Sequence, residues 1–175
     1  MSLATLTKSG RAAIAMAMAS QPLHLAWGSG NEAWDEEGFT APSLVNWTSL
    51  QAELGRRSPA SVGFVLPDED GGIIIPVGRG LDDIVQEARY RQVPEPTPYL
   101  YVRVNFDYAD APSAVIRELG LFMGSTMKAD LPAGQRYFRP GDIEEPGLLL
   151  AVQILSPGIS RASNVRQTIE YVLPV

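Results

Sequence analysis

The segment from Tyr99 to Tyr108 alternates without a break. Leu100, Val102, Val104, Phe106 and Tyr108 fall on one side, and Tyr99, Tyr101, Arg103, Asn105 and Asp107 on the other. A period of two sustained this long marks a strand with one face on a core, as in antiparallel sheets. The 14 prolines and 16 glycines then restrict the remaining strands to short runs between turns. Those runs are Leu23–Trp27, Val62–Leu66, Ile73–Val77, Val115–Met123, Leu148–Leu155 and Gln167–Val172. Val62–Leu66 and Ile73–Val77 flank Pro67-Asp-Glu-Asp-Gly-Gly72, which has the chemistry of a turn, so the two read as a hairpin.

Two segments carry helical signals. Thr7 is an N-cap residue, and Gln21-Pro22 stops the helix that follows it to Ser20. Ala, Met and Ile fill nearly every position from Ala12 to Ala19. A helix that is apolar all round is buried on more than one side, against its own domain and a neighbouring subunit. A thin helix packed into a single core is the plainer reading. Lys8 and Arg11 ahead of this run also outline a secretory signal, but the run is short, Ala-rich and only weakly hydrophobic. The second signal is Leu44, Trp47, Leu50 and Leu54 at helical spacing between Ser43 and Gly55. Leu81–Arg91 is ambiguous: Leu81, Ile84, Val85 and Ala88 fit a helix face, while Val93-Pro-Glu-Pro-Thr-Pro98 breaks it. Residues 81–98 are therefore expected as an insertion or arm outside the main sheet. The fold class expected is α+β and mainly β. It is an antiparallel sheet or sandwich with an N-terminal helix and one further helix, in a single domain over residues 1–175.

A chain of 175 residues buries roughly 70% of its unfolded surface, enough for a core without metal or disulfide. There is no cysteine, so thiolate chemistry and Cys-ligated metals are out, and a single histidine, His24, leaves a zinc site without ligands. His24 sits in an apolar alternating segment and reads as structural. The net charge of −6 argues against nucleic acid, which calls for a surplus of Lys and Arg. No run approaches the roughly 20 apolar residues of a membrane helix. Gly28-Ser29-Gly30 is too short for a nucleophile elbow, and Gly78-Arg79-Gly80 lacks the third glycine of a dinucleotide loop. Asp68-Glu-Asp70 is shorter than a calcium loop. No catalytic, cofactor-binding or metal-ligating residue is assigned. Two other classes stay open. Trp27, Trp34, Tyr99 and Tyr101 could form a carbohydrate platform, and distant carboxylates could converge into a cell-wall hydrolase site.

Three separated pieces carry a resemblance. They are Leu6–Ala15 with Pro22–Gly30, then Tyr99–Asp110 leading into Ile116-Arg-Glu-Leu-Gly-Leu-Phe122, and finally Leu131–Phe138 with Val165–Leu173. In these pieces the chain resembles the tail-collar and tail-fibre attachment proteins associated with the baseplate of long-tailed bacteriophages. The resemblance implies a structural, non-enzymatic part of the virion tail, made in the host cytoplasm, that joins fibres to the tail tip through protein contacts. It implies tail, baseplate and fibre proteins as partners and a homo-oligomer, with a trimer favoured. It implies no cofactor, no nucleic acid and no membrane insertion. Such fibre proteins continue into a shaft and a receptor-binding tip, whereas this sequence stops at Val175, which favours an adaptor. The candidate assembly contacts are Ile14, Met16 and Met18 on the first helix, Tyr90 in the ambiguous segment, and the strand pair Arg117 and Glu118.

Overall fold

The computed structural model describes residues 4–79 and 85–175. The helix α1 (Lys8–Ala19) is followed by β1 (Leu23–Gly28), β2 (Glu53–Arg57), β3 (Ser61–Pro67), β4 (Ile73–Arg79), β5 (Val85–Val93) and β6 (Tyr99–Phe106). Then come β7 (Val115–Met123), β8 (Thr126–Met127), β9 (Tyr137–Phe138), β10 (Ile143–Glu145), β11 (Leu148–Ser160) and β12 (Gln167–Pro174). One sheet has the order β11-β7-β1-β2-β9, a second the order β12-β6-β3-β5-β4, and β8 pairs with β10. The strand pairings are antiparallel. The fold is α+β and mainly β, with its helix near the N-terminus. No described helix is long and apolar enough to cross a membrane.

The chain divides into two compact units, one of residues 1–20, 60–103 and 170–175, the other of residues 21–59 and 104–169. In the first, Val65, Leu100 and Val102 are fully buried and Ala15 of α1 joins them in the core. The hydroxyl of Tyr101, on the opposite face of β6, donates to Glu170 at 2.6 Å, which lets its ring stay buried. In the second unit β1 is buried on both faces, because β2 and β7 flank it and other segments cover it. Trp27 stacks on Phe106 with ring centroids 3.5 Å apart, and its indole N–H donates to the Tyr137 hydroxyl at 3.2 Å.

The alternating segment follows its pattern over most of its length, but Tyr101, on the side opposite the core residues, is buried, and Tyr108, which falls beyond β6, is exposed. Leu100, Val102, Val104 and Phe106 are fully buried, and Arg103 and Asn105 are exposed. Three expectations are corrected. First, Val62–Leu66 and Ile73–Val77 do not pair as a hairpin, because β5 lies between β3 and β4. Pro76 explains the order: proline has no N–H to give, so its strand suits the edge and the proline-free β5 takes the inner place. Second, residues 85–91 are strand and not helix, and residues 85–93 therefore stand inside the sheet rather than in an arm. Polar residues on both faces of β5 hide its period of two. Residues 81–84 lie outside the described residues. Of the remainder, Thr97 is buried and donates to the Val65 carbonyl at 2.7 Å.

Third, the segment from Ser43 to Gly55 is not a helix but a turned loop running into β2. Asn46, Trp47, Thr48 and Ser49 are weak helix formers, and the segment gains more by burying Leu50 against Ala26 and Phe122. Within the chain, α1 buries one stripe. Thr7 caps it by accepting from the Gly10 N–H, as expected. Only Ala15 is fully buried, with Ala12, Met18 and Ala19 half-buried beside it, one stripe at helical spacing.

Candidate functional site

The longest connection of the second unit runs from Ser29 to Ala52, and the dipeptide Arg117-Glu118 of β7 holds both its ends. Neighbours in a strand point to opposite faces, yet both of these are buried. The Glu118 carboxylate accepts from the backbone N–H of Gln51 at 3.0 Å and of Ala52 at 2.7 Å. The Arg117 guanidinium donates to Asp35 at 2.7 Å and to the Ser29 carbonyl at 3.1 Å. Gly28 makes this possible, since a Cβ there would stand 2.2 Å from a Glu118 oxygen. The bond from Arg117 holds the Asp35 carboxyl below the usual carboxylate range, helped by the Gly158 N–H. The hydroxyl of Ser156 donates to the Trp34 carbonyl at 2.8 Å and ties the loop to β11.

Within the loop, Trp34 lies 6.2 Å from Phe39 and 6.2 Å from Trp47 between ring centroids, a small aromatic core. Leu50 fixes the loop onto the sheet. It fits because Gly120 has no side chain: a Cβ there would meet Leu50 at 2.9 Å and Leu149 at 3.0 Å. Between the loop and β11 this leaves an apolar cleft of about 280 Å³ lined by Leu44, Val45, Trp47 and residues 149–152. Leu149 and Val152 form its floor over the core, while Val45 is 90% exposed at its rim. Leu148 beside it is also exposed. The surrounding loop is acidic. From Asn31 to Ala52 it contains Glu32, Asp35, Glu36 and Glu37 and neither Lys nor Arg.

The first unit presents the other apolar surface. Opposite the stripe that α1 buries, Ala13, Ile14, Met16 and Ala17 are exposed, Met16 by 51%. Leu6 just before the helix is exposed as well. The Arg11 guanidinium donates to the Val175 carbonyl at 2.8 Å.

The candidate contacts therefore separate into three groups. Ile14 and Met16 are on the surface, while Met18 and Tyr90 are half-buried, Tyr90 beside the Tyr99 ring. Arg117 and Glu118 are buried and engaged within the chain. Nothing in the sequence links Val45 to the β11 stretch, because a loop residue and a strand about a hundred positions later carry no shared pattern.

The rings proposed for sugar binding are not a platform, since Trp27, Trp34 and Tyr101 are buried. His24 is buried, with Phe138 edge-on at 5.7 Å. Loss of water and then the Arg56 charge push its pKa down to about 4. A triad base needs an orienting partner, and among the described residues His24 Nδ1 has none. Arg56 itself is buried against Phe122 and gripped by Glu53, Ser125 and the Pro146 carbonyl.

Several buried polar side chains of the second unit thus hold loops. No curated protein matches the chain. A family profile described as baseplate wedge 3 tail fiber network component matches residues 3–175. The chain belongs to that family, and is a structural component of a bacteriophage baseplate.

Proposed function

We propose that the chain is an adaptor that joins tail fibres to the baseplate wedge by protein–protein contacts, without catalysis, as a homo-oligomer for which a trimer is favoured. It is made in the host cytoplasm and acts in the virion tail. The observation that carries this reading is the pair of exposed apolar surfaces, the outer face of α1 and the cleft between the Ser29–Ala52 loop and β11. Contiguous apolar surface left open on a folded chain marks a contact site for another protein. Ile14 and Met16 belong to the first surface, and Met18, half-buried on the opposite stripe, is a contact that supports it from within the chain. Tyr90, beside Tyr99, is a further contact. Arg117 and Glu118 support assembly from within by fixing the loop that forms the second surface.

Co-expression with the wedge and fibre proteins of the same particle, followed by size exclusion with light scattering, tests the reading. The expected result is a complex containing the chain and both classes of partner. Failure to bind either class, with the chain folded, would overturn it.

A further inference from the structure

Each five-stranded sheet has two outer strands, and three of these four carry features that discourage a further strand. β9 has two residues. β4 contains Pro76 with a register shift beside it. β11 has two register shifts and the pair Pro157-Gly158. Short, bulged and proline-bearing edges keep a sheet closed to new partners. β12, at the other edge of the sheet that contains β4, has none of these features. It runs Gln167-Thr-Ile-Glu-Tyr-Val-Leu-Pro174, without glycine, Lys or Arg, and its proline stands at the very end. We infer that β12 receives a strand of another tail protein from Glu170 onward, extending the sheet by one strand, with a Lys or Arg of that strand opposite Glu170. This deepens the adaptor reading and rests on it for the class of partner.

The register shows which main-chain groups are open. The Val175 N–H donates to the Pro98 carbonyl at 2.8 Å, and the Thr168 hydroxyl lies 3.1 Å from the Asn105 side chain. Seven residues lead from Thr168 to Val175 and seven from Pro98 to Asn105, so both contacts fit one antiparallel register without a bulge. In that register alternate residues of β12 turn their N–H and C=O toward β6, in step with Val175, and the others turn theirs away. Glu170 and Val172 are turned away, as is the Pro174 carbonyl. Among the described residues nothing bonds to these main-chain groups. Such a row recurs at the spacing of a second strand and is matched by an extended chain, whereas an apolar patch can be covered by many shapes. Charge then selects the strand. Glu170 is the one charged residue of β12, and its Oε1 accepts from the Tyr101 hydroxyl at 2.6 Å. Arg103, opposite it on β6, forms no ion pair with it among the described residues, which leaves Oε2 for a partner. A second copy of β12 would bring another Glu170 to that face and no cation. A strand with Lys or Arg there gains a cross-strand ion pair. On the other face Ile169 is buried and Tyr171 and Leu173 are half-buried, so the residues that the incoming strand sets beside them are apolar.

Hydrogen exchange on the full chain, read residue by residue, tests the contact. The chain is measured alone, with the wedge proteins of the same particle, and with its fibre proteins. The amides of Glu170 and Val172 should exchange freely in the chain alone and at least roughly tenfold more slowly in a complex. Val172→Pro removes an outward N–H and spares the bonds to β6, so it should melt near the wild type. It should bind the partner at least roughly tenfold more weakly. Val172→Thr keeps the N–H and should bind like the wild type. Glu170→Gln keeps an acceptor for Tyr101 and should reduce the salt dependence of binding. An unchanged salt dependence would overturn the base opposite Glu170. A complex in which the two amides stay unprotected, or which Val172→Pro does not weaken, would overturn the inference and leave the adaptor reading standing. Protection in a complex with one class, and no binding to the other, would uphold the edge contact and overturn the adaptor reading. Self-association lost in Val172→Pro, with no protection by either class, would assign the edge to a second copy and overturn the strand from another protein. Binding to neither class would overturn both claims.

Discussion

Glu118 is a fully buried carboxylate whose two oxygens accept from the N–H groups of Gln51 and Ala52. Charge-assisted bonds to backbone donors are stronger than neutral ones, and removing the acceptor leaves donors without partners. Glu118→Ala should therefore destabilise the chain by about 2–4 kcal/mol. Hydrogen exchange should show protection lost first at Gln51 and Ala52. Full protection there in the variant would contradict this role. The sequence shows Arg117-Glu118 as two adjacent charges in a strand. Their partners lie 66 or more residues away in sequence and are mostly backbone groups, which no side-chain pattern encodes. His24 makes a second residue-scale prediction. The unfolded chain takes up its proton near 6.5, whereas the folded site resists until about 4. The folded pKa is depressed, so the favoured folded form is neutral. Stability from this residue is complete above 6.5 and is lost as pH falls from there to about 4, by at most about 3 kcal/mol. Urea unfolding of wild type and His24→Gln across that window should give a shallower pH slope in the variant. Equal slopes would contradict the assignment.

At the level of elements, legibility followed burial. β6 and β7 were plain in the sequence because each has apolar residues committed to a core. β5 was not, since polar side chains line both its faces and its pairing on both edges sets its conformation. The spacing of Leu44, Trp47 and Leu50 imitates a helix, but it arises from a loop that folds Leu50 inward and Trp47 against Trp34. That loop depends on Gly120. Gly120→Ala should push Leu50 and Leu149 apart and cost roughly 1–3 kcal/mol, measured by chemical denaturation. A neutral effect would mean the loop can shift without loss. Pro76 has a different role at the outer edge of its sheet, where unpaired strands invite aggregation. Pro76→Thr should raise the aggregation rate on heating, read by light scattering. An unchanged rate would show that other features protect that edge.

At the scale of the whole molecule, a net charge of −6 conceals a division of sign along the chain. The first 31 residues are basic and the following loop is acidic, and each lies beside exposed apolar side chains. The buried arginines Arg56, Arg117 and Arg161 are spent on holding loops through backbone and carboxylate acceptors. All three belong to the second unit, whose loops they fix. The sequence conveyed the class of fold and the apolar helix that carries one surface. It did not convey the cleft, which exists only once β11 and a loop about a hundred residues earlier are brought together. The most direct measurement of the central claim is an electron-microscopy reconstruction of the intact particle. The account predicts density for this chain where fibres meet the baseplate wedge. Density for this chain confined to the receptor-binding end of a fibre, or its absence from the mature particle, would contradict it.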